Sequence, residues 1–74
     1  MTRLPTVTPR EVDAALLKAG FEAYHQSGSH LLLRHPLTKA RTTVPMHARD
    51  LDRGLLRKIL KQAGLTDEQF RELL

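Results

Sequence analysis

The side chains best suited to acid–base chemistry are the four histidines, which are His25, His30, His35 and His47. Imidazole gains and loses a proton near neutral pH, so two neighbouring rings can act as general base and general acid. His30 directly follows Ser27-Gly28-Ser29, where Ser27-Gly28 is a hairpin-turn signal. A histidine at this position starts a strand at an edge that a ligand can reach. Gly28-Ser29-His30 is therefore the main candidate for a catalytic group.

The length of the hairpin loop decides which residue faces His25. A loop of two or four residues makes His25 and His30 direct cross-strand neighbours, whereas a loop of three pairs His25 with Ser29. The sequence leaves these registers open. Two imidazoles beside cations suit cleavage of a phosphodiester, and in RNA the 2′-OH is an internal nucleophile. His35, which precedes Pro36, is expected only to make local hydrogen bonds.

Metal-dependent chemistry fits the sequence less well. A two-metal nuclease needs clustered carboxylates, yet Asp50 and Asp52 are the only acids between residues 23 and 66. A zinc site built from His25, His30 and His35 has successive spacings of five, which match no recognised ligand pattern. We therefore expect no metal and no other cofactor.

Positive charge is concentrated in the middle of the chain. Residues 24–63 carry a net charge of +6, whereas residues 1–23 sum to zero and residues 64–74 to −2. All four histidines lie in the same basic segment. This distribution favours a polyanionic partner through phosphate contacts, although charge alone fits a solvated surface equally well.

The 74 residues are expected to form a single domain, residues 1–74. The chain contains no cysteine, which excludes disulfides and thiolate zinc sites. Its longest apolar run is Leu31-Leu32-Leu33, which is too short to cross a membrane. The N-terminus lacks the apolar segment of a signal peptide, so the cytoplasm is the expected location.

The residue pattern predicts an α+β fold with the order α-β-β-β-α and a short C-terminal helix. Thr8 and Glu11 form a capping box at the start of the first helix. Strands are predicted over residues 21–26, 29–35 and 41–44. Leu51, Leu55, Ile59 and Ala63 recur every four residues and predict the next helix. Three strands joined by short hairpins must be antiparallel, with the helices on one face and the other face free.

Several ordered motifs resemble the HicA-type mRNA interferase toxins of prokaryotic type II toxin–antitoxin systems, also called YcfA-like. These are Gly20-Phe21 after the first helix, Gly28-Ser29-His30, Val44-Pro45-Met46-His47 and the helical segment 53–65. The resemblance extends from the first helix to about Leu65. It implies a double-stranded-RNA-binding-like fold, endoribonuclease activity on mRNA and neutralisation by a HicB-type antitoxin.

The resemblance also assigns roles to particular residues. The catalytic histidine of Gly28-Ser29-His30 is His30, and His47 is a secondary candidate, expected to help place the substrate. We expect the RNA contacts to come from Ser29, Arg34, Arg41, His47, Arg53, Arg57 and Lys61. No membrane contact is expected, and no DNA binding by the toxin alone.

Two other functions remain open from the sequence. The same basic fold could be a non-catalytic RNA-binding module, which would bind RNA in a salt-sensitive way without cleaving it. Alternatively, the chain could be a protein-interaction domain. In that case Leu32 on the free sheet face and the stripe of Arg53, Arg57 and Lys61 on the second helix would bind an acidic partner.

Overall fold

The computed structural model describes residues 4–47 and 49–74 and has the predicted α+β architecture. The elements are, in order, α1 (Pro9–Lys18), β1 (Glu22–Ser27), β2 (His30–Arg34), β3 (Arg41–Pro45), α2 (Arg53–Ala63) and α3 (Asp67–Leu73). The strands form one antiparallel sheet in the order β1-β2-β3. Among these elements, none is a helix with the length and apolarity that a bilayer crossing demands.

Local side-chain hydrogen bonds set the helix ends. Glu11 N–H donates to Thr8 Oγ1 at 3.3 Å, and Thr8 N–H donates to Glu11 Oε1 at 2.9 Å, so the predicted capping box is confirmed. A second capping box starts α3 at Thr66. Gly64 ends α2 with a φ of 75°, the left-handed conformation that glycine adopts most easily.

The prediction that Leu51 lies in the second helix is wrong. Asp52 caps α2, with its side chain accepting from Leu55 N–H at 2.8 Å, so the helix begins at Arg53. Leu51 instead pairs with Val7 in an isolated antiparallel bridge, with its N–H donating to the Val7 carbonyl at 2.8 Å. Both side chains are buried, as is Leu4. The segment before α1 thus contributes to the core.

The two faces of the sheet differ in composition. Leu33 and Val44 are fully buried, and Leu31 packs against the same core, which also contains residues of all three helices. Because side chains alternate along a strand, His30, Leu32 and Arg34 share the opposite, open face of β2. The predicted division of the leucines between the two faces is therefore confirmed.

The β1–β2 hairpin has a register that was not predicted. The turn residues are Gly28 and Ser29, one position later than the Ser27-Gly28 turn signal indicates, and Ser27 pairs with His30. His25 consequently pairs with Leu32 rather than with His30 or Ser29. Gly28 has a φ of 59° at the first central turn position, where a type II′ hairpin turn needs a positive φ. The turn is centred where glycine satisfies this requirement.

Candidate functional site

A solvent-open groove of about 450 Å³ lies along the β3 edge of the sheet, between that edge and α2. It is lined by His30, Thr43, Pro45, His47, Leu55, Lys58, Ile59 and Gln62. The wall thus combines two imidazoles and an ammonium group with amide, hydroxyl and apolar surface. This volume lies within the range typical of small-molecule sites.

His30 and His47 form the polar end of the groove. His30 is the first residue of β2 and pairs with Pro45, and His47 lies two residues further along the chain from Pro45. The centroids of the two imidazole rings are 5.8 Å apart, with the planes at 65°. Both side chains are exposed. Two groups that can exchange protons therefore face a common space.

Ser29 links the hairpin turn to His47. Its Oγ lies 2.9 Å from His47 Nδ1, and its carbonyl accepts from Met46 N–H at 2.7 Å. A hydroxyl can both donate and accept, so this bond persists whether Nδ1 is protonated or not. In Gly28-Ser29-His30, the glycine forms the turn, the serine orients His47, and the histidine faces the groove.

Lys58 and Gln62 extend from α2 into the groove, and neither was among the predicted site residues. Gln62 Oε1 accepts from the hydroxyl of buried Thr42 at 3.1 Å, which ties this side chain to β3. Leu55, Lys58, Ile59 and Gln62 follow the i, i+3, i+4, i+7 spacing of one helical face. This spacing puts Lys58 on the same side of α2 as Leu55 and Ile59. Lys58 could therefore have been predicted as a site residue if His47 had been placed beside that side of the helix.

The basic stripe of α2 lies away from the groove. At about 100° per residue, the centre of Arg53, Arg57 and Lys61 is about 150° around the helix from the groove-lining residues. Arg53 Nε donates to the Leu4 carbonyl at 2.9 Å, and Arg57 forms an exposed ion pair with Asp67 at 3.8 Å. Lys61 is exposed in the last turn. Arg53 thus has a structural contact, while RNA contacts by these three residues stay a prediction.

Arg34 and Arg41 lie at the other end of the open face. They pair directly across β2 and β3. Arg34 is four residues from His30 along β2, about 13 Å at the usual rise of a strand. Its guanidinium lies 5.4 Å from the centroid of the Tyr24 ring. These cations therefore share the face of His30 without lining the groove.

The remaining two histidines differ from this pair. His25 is exposed on β1. His35 Nδ1 accepts from Leu37 N–H at 3.1 Å and Thr38 N–H at 3.3 Å, so its proton lies on Nε2, which donates to the Ala19 carbonyl at 3.1 Å. The predicted local hydrogen bonds of His35 are present, and the bond to Ala19 also ties the ring to the end of α1. This packing also requires Gly20, because a Cβ there would lie 2.8 Å from His35 Nε2.

No group of three or more His, Cys, Asp or Glu side chains suited to a metal ion occurs in residues 4–47 and 49–74. Asp13 lies on α1, outside the groove. Burial raises the pKa of its carboxyl above the ordinary value.

The fold and the groove define a small α+β domain with a three-stranded antiparallel sheet and a pair of histidines in a groove beside that sheet. The family model described as the HicA toxin of bacterial toxin–antitoxin matches residues 9–65, which include every residue that lines the groove. The chain belongs to the HicA toxin family. It is therefore the toxin of a toxin–antitoxin system and has an antitoxin as its partner. No curated protein gave a significant match to the chain.

Proposed function

We propose that the protein is an endoribonuclease that cleaves mRNA with His30 and His47 as its acid–base pair. The observation that supports this best is the 5.8 Å separation of the two imidazole rings in one solvent-open groove. With the scissile phosphodiester seated between the rings, one imidazole could contact the 2′-OH and the other the leaving 5′-oxygen. The family match supports a toxic activity of this kind.

The proposed reaction uses the ribose 2′-OH as the nucleophile. One imidazole removes the 2′-OH proton while the 2′-oxygen forms a bond to phosphorus. The bond from phosphorus to the 5′-oxygen breaks, and the second imidazole protonates that oxygen. The products are a 2′,3′-cyclic phosphate and a 5′-hydroxyl. No metal is needed to generate this nucleophile, so we propose a metal-independent reaction.

Lys58 is the cation best placed to assist this reaction. It lines the same groove as both histidines, so its ammonium group can stabilise the negative charge that develops on the phosphoryl oxygens. Gln62 and Thr43 add hydrogen-bonding groups to the same wall. Within the proposed mechanism, Lys58 is the catalytic cation, while Arg53, Arg57 and Lys61 keep the predicted role of RNA contacts.

The substrate and partner follow from this proposal. The substrate is mRNA in the cytoplasm, and the antitoxin is of the HicB type. Neutralisation then requires that antitoxin binding blocks access to the groove or draws His30 and His47 apart.

Induction in cells tests the proposal directly. Wild type should arrest growth and degrade mRNA, whereas His30→Ala should do neither at equal protein levels. His25→Ala is the matched control, because His25 is also exposed on the sheet but lies outside the groove. Continued mRNA cleavage by a folded His30→Ala variant would contradict the assignment.

A further inference from the structure

Tyr24 is an exposed aromatic residue in a chain that has few of them. The protein has one tyrosine, two phenylalanines and no tryptophan. Phe21 and Phe70 are 3% and 0% exposed and belong to the core, whereas Tyr24 is 45% exposed. Burying an aromatic ring is strongly favourable, so an exposed ring on a charged face suggests a ligand.

Tyr24 lies on the open face at a β-bulge, since side chains alternate along a strand and Ala23 is on the core side. The pairing of β1 with β2 shifts between Ala23 and His25, which leaves Tyr24 as the extra residue. Ala23 pairs with Leu33 of the core side, while the Tyr24 ring contacts Arg34 of the open face. Bulges are over-represented next to functional sites.

The arginine that contacts this ring has a second arginine as its neighbour. Arg34 and Arg41 are direct cross-strand partners, an arrangement that is destabilising for like charges. Glu22 pairs with Arg34 on the other side, yet neither arginine forms an ion pair within the described part of the chain. An anion bound between the two guanidinium groups would relieve their repulsion.

We propose that Tyr24, Arg34 and Arg41 form a second RNA subsite, which binds an unpaired base and a phosphate of single-stranded RNA. This inference rests on the proposed endoribonuclease function. The subsite lies about 13 Å from His30 on the same sheet face, a distance that an extended single strand covers with a few nucleotides. An aromatic ring stacks on a base only where the base is unpaired, and flanking cations bind the backbone.

The test compares two RNA substrates that share one cleavage site. The minimal substrate keeps only the two nucleotides that flank the scissile phosphate, and the extended substrate carries several more on each side. Tyr24→Leu should lower kcat/KM for the extended RNA roughly tenfold, since stacking of one base is lost. It should leave cleavage of the minimal RNA unchanged. Tyr24→Phe is the matched control and should behave as wild type on both.

Binding of an uncleavable extended RNA, with a 2′-deoxy residue at the cleavage site, separates this proposal from the proposed function. Weaker binding by Tyr24→Leu but not by Tyr24→Phe supports the subsite even if no cleavage is observed. Equal binding by all three proteins overturns it. If Tyr24→Leu lowers cleavage of the minimal and the extended RNA equally, the proposal is also overturned. The substitution would then have disturbed the structure of the domain rather than a subsite. Loss of antitoxin binding with unchanged RNA binding overturns it in favour of a protein contact.

Discussion

At the scale of single residues, Ser29 has the most specific role outside the proton-transfer pair. Its hydroxyl is 2.9 Å from His47 Nδ1, and this bond fixes the ring that faces His30. Ser29 was predicted to contact RNA, a role that stays a prediction. The hydrogen bond adds a positioning role, which could not be derived from the sequence because it depends on the hairpin and on the segment after β3 meeting in space.

Removing this hydroxyl should reduce cleavage without unfolding the domain. We expect Ser29→Ala to lower kcat roughly tenfold, about the effect of losing one hydrogen bond to a catalytic group. Ser29→Thr should restore most of the activity, because it keeps the hydroxyl. The measurement is single-turnover cleavage of a defined RNA. Ser27→Ala is the matched control, and an equal loss in that variant would show that any change in the hairpin has this effect.

Asp13 provides a test of stability that is separate from function. Its Oδ1 is buried without a hydrogen-bond partner among the described residues, and burial raises the pKa of the carboxyl. At pH 7 the ionised form is therefore held in an unfavourable environment. We expect Asp13→Asn to raise Tm at pH 7.

The pH dependence follows from the direction of the pKa change. A raised pKa means that the folded state binds the proton more tightly than the unfolded state, so the stability cost of Asp13 exists above the raised pKa. The advantage of Asp13→Asn should shrink as the pH falls through that value. Thermal unfolding between pH 7 and pH 3 measures it, with exposed Glu22→Gln as the control. An advantage that is constant with pH would contradict this explanation.

At the scale of elements, the helix boundaries and the strand boundaries differ in how far sequence predicts them. Helix caps are local, so Thr8, Thr66 and Gly64 mark their helix ends correctly, whereas the apolar spacing from Leu51 places the start of α2 before its actual cap, Asp52. Strand register depends on the partner strand and on backbone φ at Gly28. The Ser27-Gly28 turn signal therefore lies one residue before the actual turn, and neither of the two pairings considered for His25 occurs. The bulge at Tyr24 has no local sequence signal at all.

The first capping box can be tested on its own. Thr8→Ala removes the acceptor for Glu11 N–H at 3.3 Å and should lower the free energy of unfolding by about 1 kcal/mol. Urea unfolding measures this difference. Thr6→Ala, at a nearby exposed position before the helix, should have little effect. Equal destabilisation by both variants would indicate a general effect of the segment before α1.

At the scale of the whole molecule, the net charge of +6 in residues 24–63 divides between two surfaces. The open face carries Arg34 and Arg41 and adjoins the groove with Lys58. The far side of α2 carries Arg57, which pairs with Asp67, and exposed Lys61. The sequence predicted the charged segment and its histidines. It could not predict that His47, from a loop after the sheet, is the histidine that meets His30.

The small size of the domain agrees with the proposed reaction, because a nuclease that takes its nucleophile from the substrate needs few groups of its own. The groove supplies two imidazoles and one ammonium group. These come from the β1–β2 hairpin, the end of β3 and one face of α2. The fold is what brings these three distant segments of the chain together.

The most direct test of this account is cleavage of a defined RNA by the purified protein in excess EDTA, with the product ends identified by mass spectrometry. Wild type should produce a 2′,3′-cyclic phosphate and a 5′-hydroxyl, and a folded His30→Ala variant should produce neither. Cleavage that requires added Mg²⁺, products with a 3′-hydroxyl and a 5′-phosphate, or full activity of His30→Ala would contradict the account.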